Sequence, residues 1–284
     1  MLHVPHDGFS LAITAMQCLN LGAFANELKS PTPYSKFAEQ LADSGNKLTL
    51  PSRQGMLLIY LPAMATSAAC LAGAPIGGNG REIIVRALLL LHFAKRVAET
   101  LFVHEYSGSA SAPVAGFIGV YYALTAWLVS AQQSGVPASL YAGGDAALAA
   151  GLSAFVIGQA GNLYHHHLLA AMRRRPAEDA VAAASAVPTT PSTRTALEQP
   201  AAQRSKYAVP TGALFDYVTM PHYFFEIVVW LGIAMVAQQL NALLVALGMS
   251  SYLSGRAVAT TAWYKARFGK EWPARRKHLV PFLF

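Results

Sequence analysis

Apolar runs of about 20 residues, separated by short polar or turn-rich breaks, recur along the whole chain. That length matches the hydrocarbon core of a bilayer. Membrane-crossing helices are therefore predicted near residues 9–27, 55–75, 83–103, 113–133, 146–171, 223–247 and 249–264. The last is short and carries Arg256. The pattern predicts an all-α fold, a polytopic membrane helical bundle of about seven transmembrane helices forming one membrane domain over residues 1–284. One stretch breaks the rhythm. Residues 176–203 are rich in Ala, Pro, Ser and Thr, a composition that builds no packed unit and predicts a disordered cytosolic insertion.

Composition agrees with the pattern. The chain is 54% apolar and only 12% charged, where soluble domains carry about 25% charged residues. Its net charge of +7 raises a nucleic-acid reading, which the placement of the charge argues against. Arg173, Arg174, Arg175, Arg194, Arg204 and Lys206 share one loop, and Lys265, Arg267, Lys270, Arg275, Arg276 and Lys277 share the tail. Together they are 12 of the 21 basic residues. Charge segregated to membrane flanks is a positive-inside signature. It puts segments 28–54, 172–221 and the C-terminal tail on the cytosolic side, with the N-terminus lumenal. Met1 to Gly8 has no basic n-region, so the first run reads as a retained span. Cys18 and Cys70 both lie in apolar runs and read as packing residues.

Ionisable groups inside the spans carry the chemistry. Pro221 suits the start of a helix, where its missing N–H is unpaired anyway. His222 and Glu226 follow at i, i+4 on one face. A carboxylate one turn inside an apolar helix needs a partner or a polar cavity. His92, Arg96 and Glu99 lie within roughly 60° of one another on a helical wheel. They read either as a functional cluster or as an Arg–Glu pair reaching for the headgroups. Gln159, Asn162, His166 and Arg173 fall at roughly 60°, 0°, 40° and 20° on theirs, one polar stripe. His165, His166 and His167 point about 100° apart and cannot chelate one ion together. No metal site is expected. Gly78-Asn79-Gly80 lacks the strand and third glycine of a dinucleotide fingerprint and reads as a turn.

From Val209 to Trp230 the chain reads VP-x-G-x-LF-x-YV-x-x-PHYFFE-I-x-x-W. Further on come Trp263-Tyr264, Phe268, Trp272-Pro273, Arg275-Arg276-Lys277 and Pro281-Phe282-Leu283-Phe284. These two motifs, in this order, resemble the C-terminal signature of the steroid 5α-reductase family. That family includes polyprenal and polyprenol reductases and very-long-chain trans-2-enoyl-CoA reductases. A Pro-Tyr-x-x-Phe segment at 33–37 and Leu61-Pro62 also fit, and the family-like catalytic part runs from about 83 to 284. The run KR-x-x-ETLFVH ending at His104 resembles the enoyl-CoA branch more than the steroid branch.

The resemblance implies an NADPH-dependent oxidoreductase that reduces an activated C=C bond in a lipid drawn from the bilayer. The substrate would be a 3-oxo-Δ4 steroid, a trans-2-enoyl-CoA or a polyprenyl aldehyde, and the membrane that of the endoplasmic reticulum. It implies cofactor contacts at Asn162, Arg173, Tyr207, Glu226 and Tyr264, with His166 standing where relatives have an acid. Lys95 and Arg96 add cationic groups for the cofactor phosphates. Two positions depart from the pattern. Tyr60 occupies the site of a substrate-holding carboxylate, and Phe93 that of a carbonyl-polarising Tyr. The oxygen-polarising donor is then sought at Tyr60 or Tyr223, with His222 beside it. The histidines that relatives carry before Trp263-Tyr264 are replaced by Val258 to Ala262. The tail reads as an interfacial anchor or a phosphate clamp. Two rival classes remain, an isoprenylcysteine-type membrane methyltransferase and a non-catalytic scaffold of the same fold.

Overall fold

The computed structural model describes residues 2–32, 48–74, 80–106, 108–137, 139, 141, 143–185 and 208–284, with backbone alone for 175–185. The first apolar run forms α1 (Gly8–Leu19) and α2 (Ala23–Lys29), which a single 3-10 turn joins into one span. Asp7 caps α1, its carboxylate accepting from the Ser10 N–H at 2.8 Å. Then follow α3 (Ser52–Ala72), α4 (Gly80–Phe102), α5 (Ala112–Gln133), α6 (Gly144–Ser185), α7 (Pro221–Ala237) and α8 (Leu240–Phe268). Among the described residues, five segments are long and apolar enough to cross a membrane: Gly8–Lys29, α3, α5, Gly144–Arg174 and Leu240–Glu271. The apolar α7 is shorter, 17 residues. At 23 residues α4 measures about 34 Å, but it carries Arg81, Glu82, Arg86, Lys95, Arg96 and Glu99. It is not among those five, and most of its charges are buried in the bundle. The molecule is an integral membrane protein.

Among the described residues, the strands are β1 (Thr49–Pro51) and β2 (Ser109–Ser111), of three residues each, which pair antiparallel with Leu50 opposite Ala110. This clip joins the segments leading into α3 and α5.

Two boundaries differ from the sequence reading. The last turn falls at Gln238–Gln239, not near 248. Gln238 takes a left-handed conformation (φ 51°). The amide of buried Gln239 donates to the Val129 carbonyl at 2.9 Å and to Gln133 Oε1 at 2.6 Å. Those bonds to α5 hold the corner. Gly248, where the pattern broke, lies inside α8, and a methyl group there would come 3.2 Å from Asn20 Cβ. Its smallness serves helix packing instead of a turn. The second correction concerns 176–203. Helical backbone continues to Ser185, so any disordered insertion begins no earlier than residue 186. Residues 186–203 lie outside the described residues.

Helices α6 and α7 touch backbone to backbone. A Cβ on Gly158 would meet the Val229 nitrogen at 2.7 Å, and one on Gly232 would meet the Phe155 nitrogen at 2.7 Å. The main core fills the space between α3, α4, α5, α7 and α8 with Leu89, Phe93, Ala126, Val129, Val229, Ile233 and Val245.

Candidate functional site

Helices α4 and α6 run parallel and are joined by polar contacts of constant register. His92 Nδ1 lies 3.4 Å from the Gln159 amide, Lys95 donates to Asn162 Oδ1, and Glu99 Oε1 lies 3.0 Å from His166 Nδ1. Each pair is separated by 67 residues. Beyond the end of α4, Arg173 donates to the Glu105 carbonyl at 2.6 Å. The polar stripe anticipated on 159–173 is therefore the face that α6 turns toward α4. The 92–99 cluster supplies its partners. Arg96 and Glu99 do form an ion pair (2.5 Å), and it is buried within this wider network instead of reaching toward the headgroups.

A cavity of about 230 Å³ opens beside the network. Tyr60 comes from α3, Arg96 from α4, Asn162, His166 and Arg173 from α6, His222, Tyr223 and Glu226 from α7, and Tyr252, Arg256 and Tyr264 from α8. Seven of the predicted positions thus meet on one wall or another with Arg96 and Tyr264: Tyr60, Asn162, His166, Arg173, His222, Tyr223 and Glu226. Lys95 does not line the cavity. Its amine is spent on Asn162 and, at 2.9 Å, on Glu99 Oε1. Tyr207 lies outside the described residues. Phe93 does not line the cavity either. It is fully buried against Trp230 and Tyr122 at ring distances of 6.2 and 5.8 Å.

Individual side chains are well held. Asn162 donates to the His222 carbonyl at 2.8 Å, which ties α6 to the first turn of α7. Glu226 faces His92 Nε2 at 3.3 Å through Oε1, while its buried Oε2 has no hydrogen-bond partner among the described residues. Tyr60 accepts from Arg96 Nη2 at 2.7 Å, and the guanidinium lies 4.8 Å from the ring centroid. The His222 ring sits 4.6 Å from Tyr223 and 5.1 Å from His166. Where the resemblance puts an acid at 166, the acid arrives from the neighbouring helix as Glu99.

Glu99, His104 and His166 present ligand-type atoms within 4.8 Å of one another. Both Glu99 oxygens already accept from cations, Lys95 and Arg96, so two positive charges crowd the position a metal ion would need. This is an ion-pair network. Beyond the end of α4, burial first and then His166 and Arg96 push the His104 imidazole down to about 2, so it stands neutral at the rim.

The tail has a role that neither sequence reading contained. Thr219 and Met220 donate to the carbonyls of Lys277 and His278 at 2.9 and 3.1 Å, and Lys277 returns a bond to Tyr217 at 2.9 Å. Arg276 donates to the Pro210 carbonyl at 2.8 Å, and Trp272 stacks on Tyr264 at 5.0 Å. The tail pins the loop that leads into α7. In place of the missing histidines, Thr260 lines the cavity and the Thr261 hydroxyl lies 2.9 Å from that of Thr219.

Arg256 was undervalued in the sequence. It is 1% exposed in mid-helix, lines the cavity, and meets Glu27 of α2 at 3.2 Å and the Thr32 carbonyl at 2.7 Å. A signal was present: an arginine within a span demands a buried partner, and Glu27 is the acid in the first run.

The sequence profile of the family described as 3-oxo-5-alpha-steroid 4-dehydrogenase matches residues 117–284. Steroid 5-alpha-reductase DET2 of Solanum lycopersicum is 39% identical over 83 residues, 29% of this chain and 32% of that protein. Human 3-oxo-5-alpha-steroid 4-dehydrogenase 1 is 41% identical over 78 residues, 28% of this chain and 30% of that one. In these two the chain matches about a third of the relative's length. The similarity extends further to 3-oxo-5-alpha-steroid 4-dehydrogenase 2 of Sus scrofa, 25% identical over 274 residues, 93% of this chain and 92% of that protein.

Proposed function

Since the chain belongs to the steroid 5-alpha-reductase (3-oxo-5-alpha-steroid 4-dehydrogenase) family, we propose that it is an NADPH-dependent reductase of an activated C=C bond in a lipid substrate. A 3-oxo-Δ4 steroid is the first substrate class to test, with trans-2-enoyl-CoA and polyprenyl aldehydes beside it. One observation carries the reading. The unpaired Glu226 Oε2, the cationic Arg173 at the rim and the Tyr60 phenol border one cavity within the bundle.

The residues fit a nicotinamide dinucleotide. A buried carboxylate oxygen without a donor suits the carboxamide of such a group. Asn162 and Tyr264 offer further polar contacts, and Arg173 places positive charge where phosphates would lie. When bound, NADPH supplies the hydride. The chain's part is to orient the lipid, exclude water and stabilise negative charge on the carbonyl oxygen. Tyr60 serves as the donor to that oxygen, since a phenol keeps its proton at neutral pH. Tyr223 is the competing donor. Cytosolic access and a cytosolic tail are supported by the basic residues gathered at one set of membrane flanks.

The test is NADPH oxidation by the purified protein in detergent against the three substrate classes. Consumption of NADPH coupled to a saturated product supports the proposal. Binding of S-adenosylmethionine in place of NADPH would favour the methyltransferase class, and binding of neither would favour the scaffold.

A further inference from the structure

We infer that Arg96 is a positioning residue for the carbonyl end of the cavity, making the Tyr60 phenol a charge-stabilising donor, and is not a phosphate ligand. This rests on the role proposed above for Tyr60. The sequence grouped Arg96 with the cofactor cations because it sits near the cytosolic end of α4. Its donors point elsewhere. Nη2 donates to the Tyr60 oxygen at 2.7 Å, and Nη1 donates to Glu99 Oε2 at 2.5 Å and lies 3.3 Å from His166 Nδ1. Two helices hold the fork, α3 through Tyr60 and α4 through Glu99, and His166 of α6 lies beside it with Nδ1 turned to the Glu99 carboxylate. Both terminal nitrogens are engaged, and a guanidinium held on several sides is rigid in a way that a phosphate-gathering surface arginine is not.

The chemistry follows from that geometry. As the β-carbon gains hydride, the C=C electron pair shifts and negative charge collects on the carbonyl oxygen. A proton from water then completes the α-carbon, and the C=O bond re-forms. A phenol that donates to the oxygen while accepting from a guanidinium transmits that charge to a fixed cation. Hydrogen bonds linked in series strengthen one another in a low-dielectric site. The Glu99 carboxylate is the counter-charge that retains Arg96 in the membrane interior without a bound anion. The pair at Tyr60 and Arg96 therefore does the work of a single acidic donor.

The experiment is a double-mutant cycle on Tyr60→Phe and Arg96→Gln, using the panel member that the wild type reduces. Turnover, NADPH affinity by fluorescence titration and the infrared stretch of the substrate's 13C-labelled carbonyl in the NADP+ complex are read together. Each single change is expected to lower turnover by about 100- to 1000-fold. The double variant should be no worse than the poorer single one, because the two residues act through one bond. NADPH affinity should stay within about threefold in all variants, and both changes should move the carbonyl stretch to higher frequency. Losses that multiply, or an Arg96→Gln variant with weakened NADPH binding and intact turnover, overturn the inference. Arg96→Lys, which keeps the charge without the planar fork, carries the same expectation if Arg96→Gln does not fold. A wild type inactive on all three substrate classes would sink the reductase reading itself, whereas an active wild type with a multiplicative cycle would sink only this one.

Discussion

Glu99 on α4 and His166 on α6 meet with Oε1 3.0 Å from Nδ1, so the acid expected on one helix is delivered by the other. The site keeps a carboxylate among Arg96, Lys95 and the α6 stripe although the residue at 166 is basic. In this part of the bundle the counter-charge to Arg96 and Lys95 comes from α4 itself.

Removing that carboxylate should be costly. Glu99→Gln leaves Lys95 and Arg96 without a counter-charge, and breaking a buried pair costs about 3–5 kcal/mol. Adding His166→Asp returns an acid from α6 and should recover much of the loss. Unfolding temperature in detergent distinguishes the two variants. Equal stability of Glu99→Gln and the double variant would refute the exchange.

Cofactor affinity should depend on Glu226 and Arg173. Each is expected to make a charge-assisted hydrogen bond worth about 1.5–3 kcal/mol, so Glu226→Ala and Arg173→Ala should each weaken NADPH binding by roughly 10- to 100-fold. Fluorescence titration of NADPH measures this directly. Wild-type affinity in both would remove them from the cofactor site.

The Glu27–Arg256 pair should behave as a buried fastener between the first span and α8. Arg256→Ala strands Glu27 and should cost about 3–5 kcal/mol. The double variant Glu27→Leu/Arg256→Met leaves no unpaired charge and should lose much less. If the double variant is as unstable as Arg256→Ala, the pair contributes by packing alone.

Residues 186–203 should be dispensable. Their composition offers nothing to bury, so replacement by a short flexible linker should leave turnover within about threefold. Complete loss of activity would mean that the segment covers or completes the site.

Much of this architecture was legible in the pattern of residues, and the exceptions share a cause. Helix existence follows from long apolar runs, and the stripe at 159–173 follows from helical periodicity. What failed was local punctuation. Gly248 looked like a break because glycine disfavours helices, yet its value lies in its contact with Asn20 across the bundle. Gln238–Gln239 looked unremarkable because their hold on α5 is long-range. Site residues divided in the same way. Asn162, His166 and Glu226 were marked by being polar inside apolar helices. The tail's grip on the loop before α7 is made by backbone atoms and leaves no trace in side-chain type. Arg96 was found, but its contacts with Tyr60 and Glu99 were not, since a sequence shows that a charge is present and not which way its donors face.

The repeated 67-residue offset has a consequence for how a lipid reaches the cavity. Three rungs of equal register between parallel helices cannot be released one at a time by sliding, because a shift that frees one breaks them all. Parting α4 from α6 would also strand several charges at once in the bilayer. That seam is therefore the wall least able to serve as a doorway. A lipid bound for the cavity is therefore expected to enter between other helices.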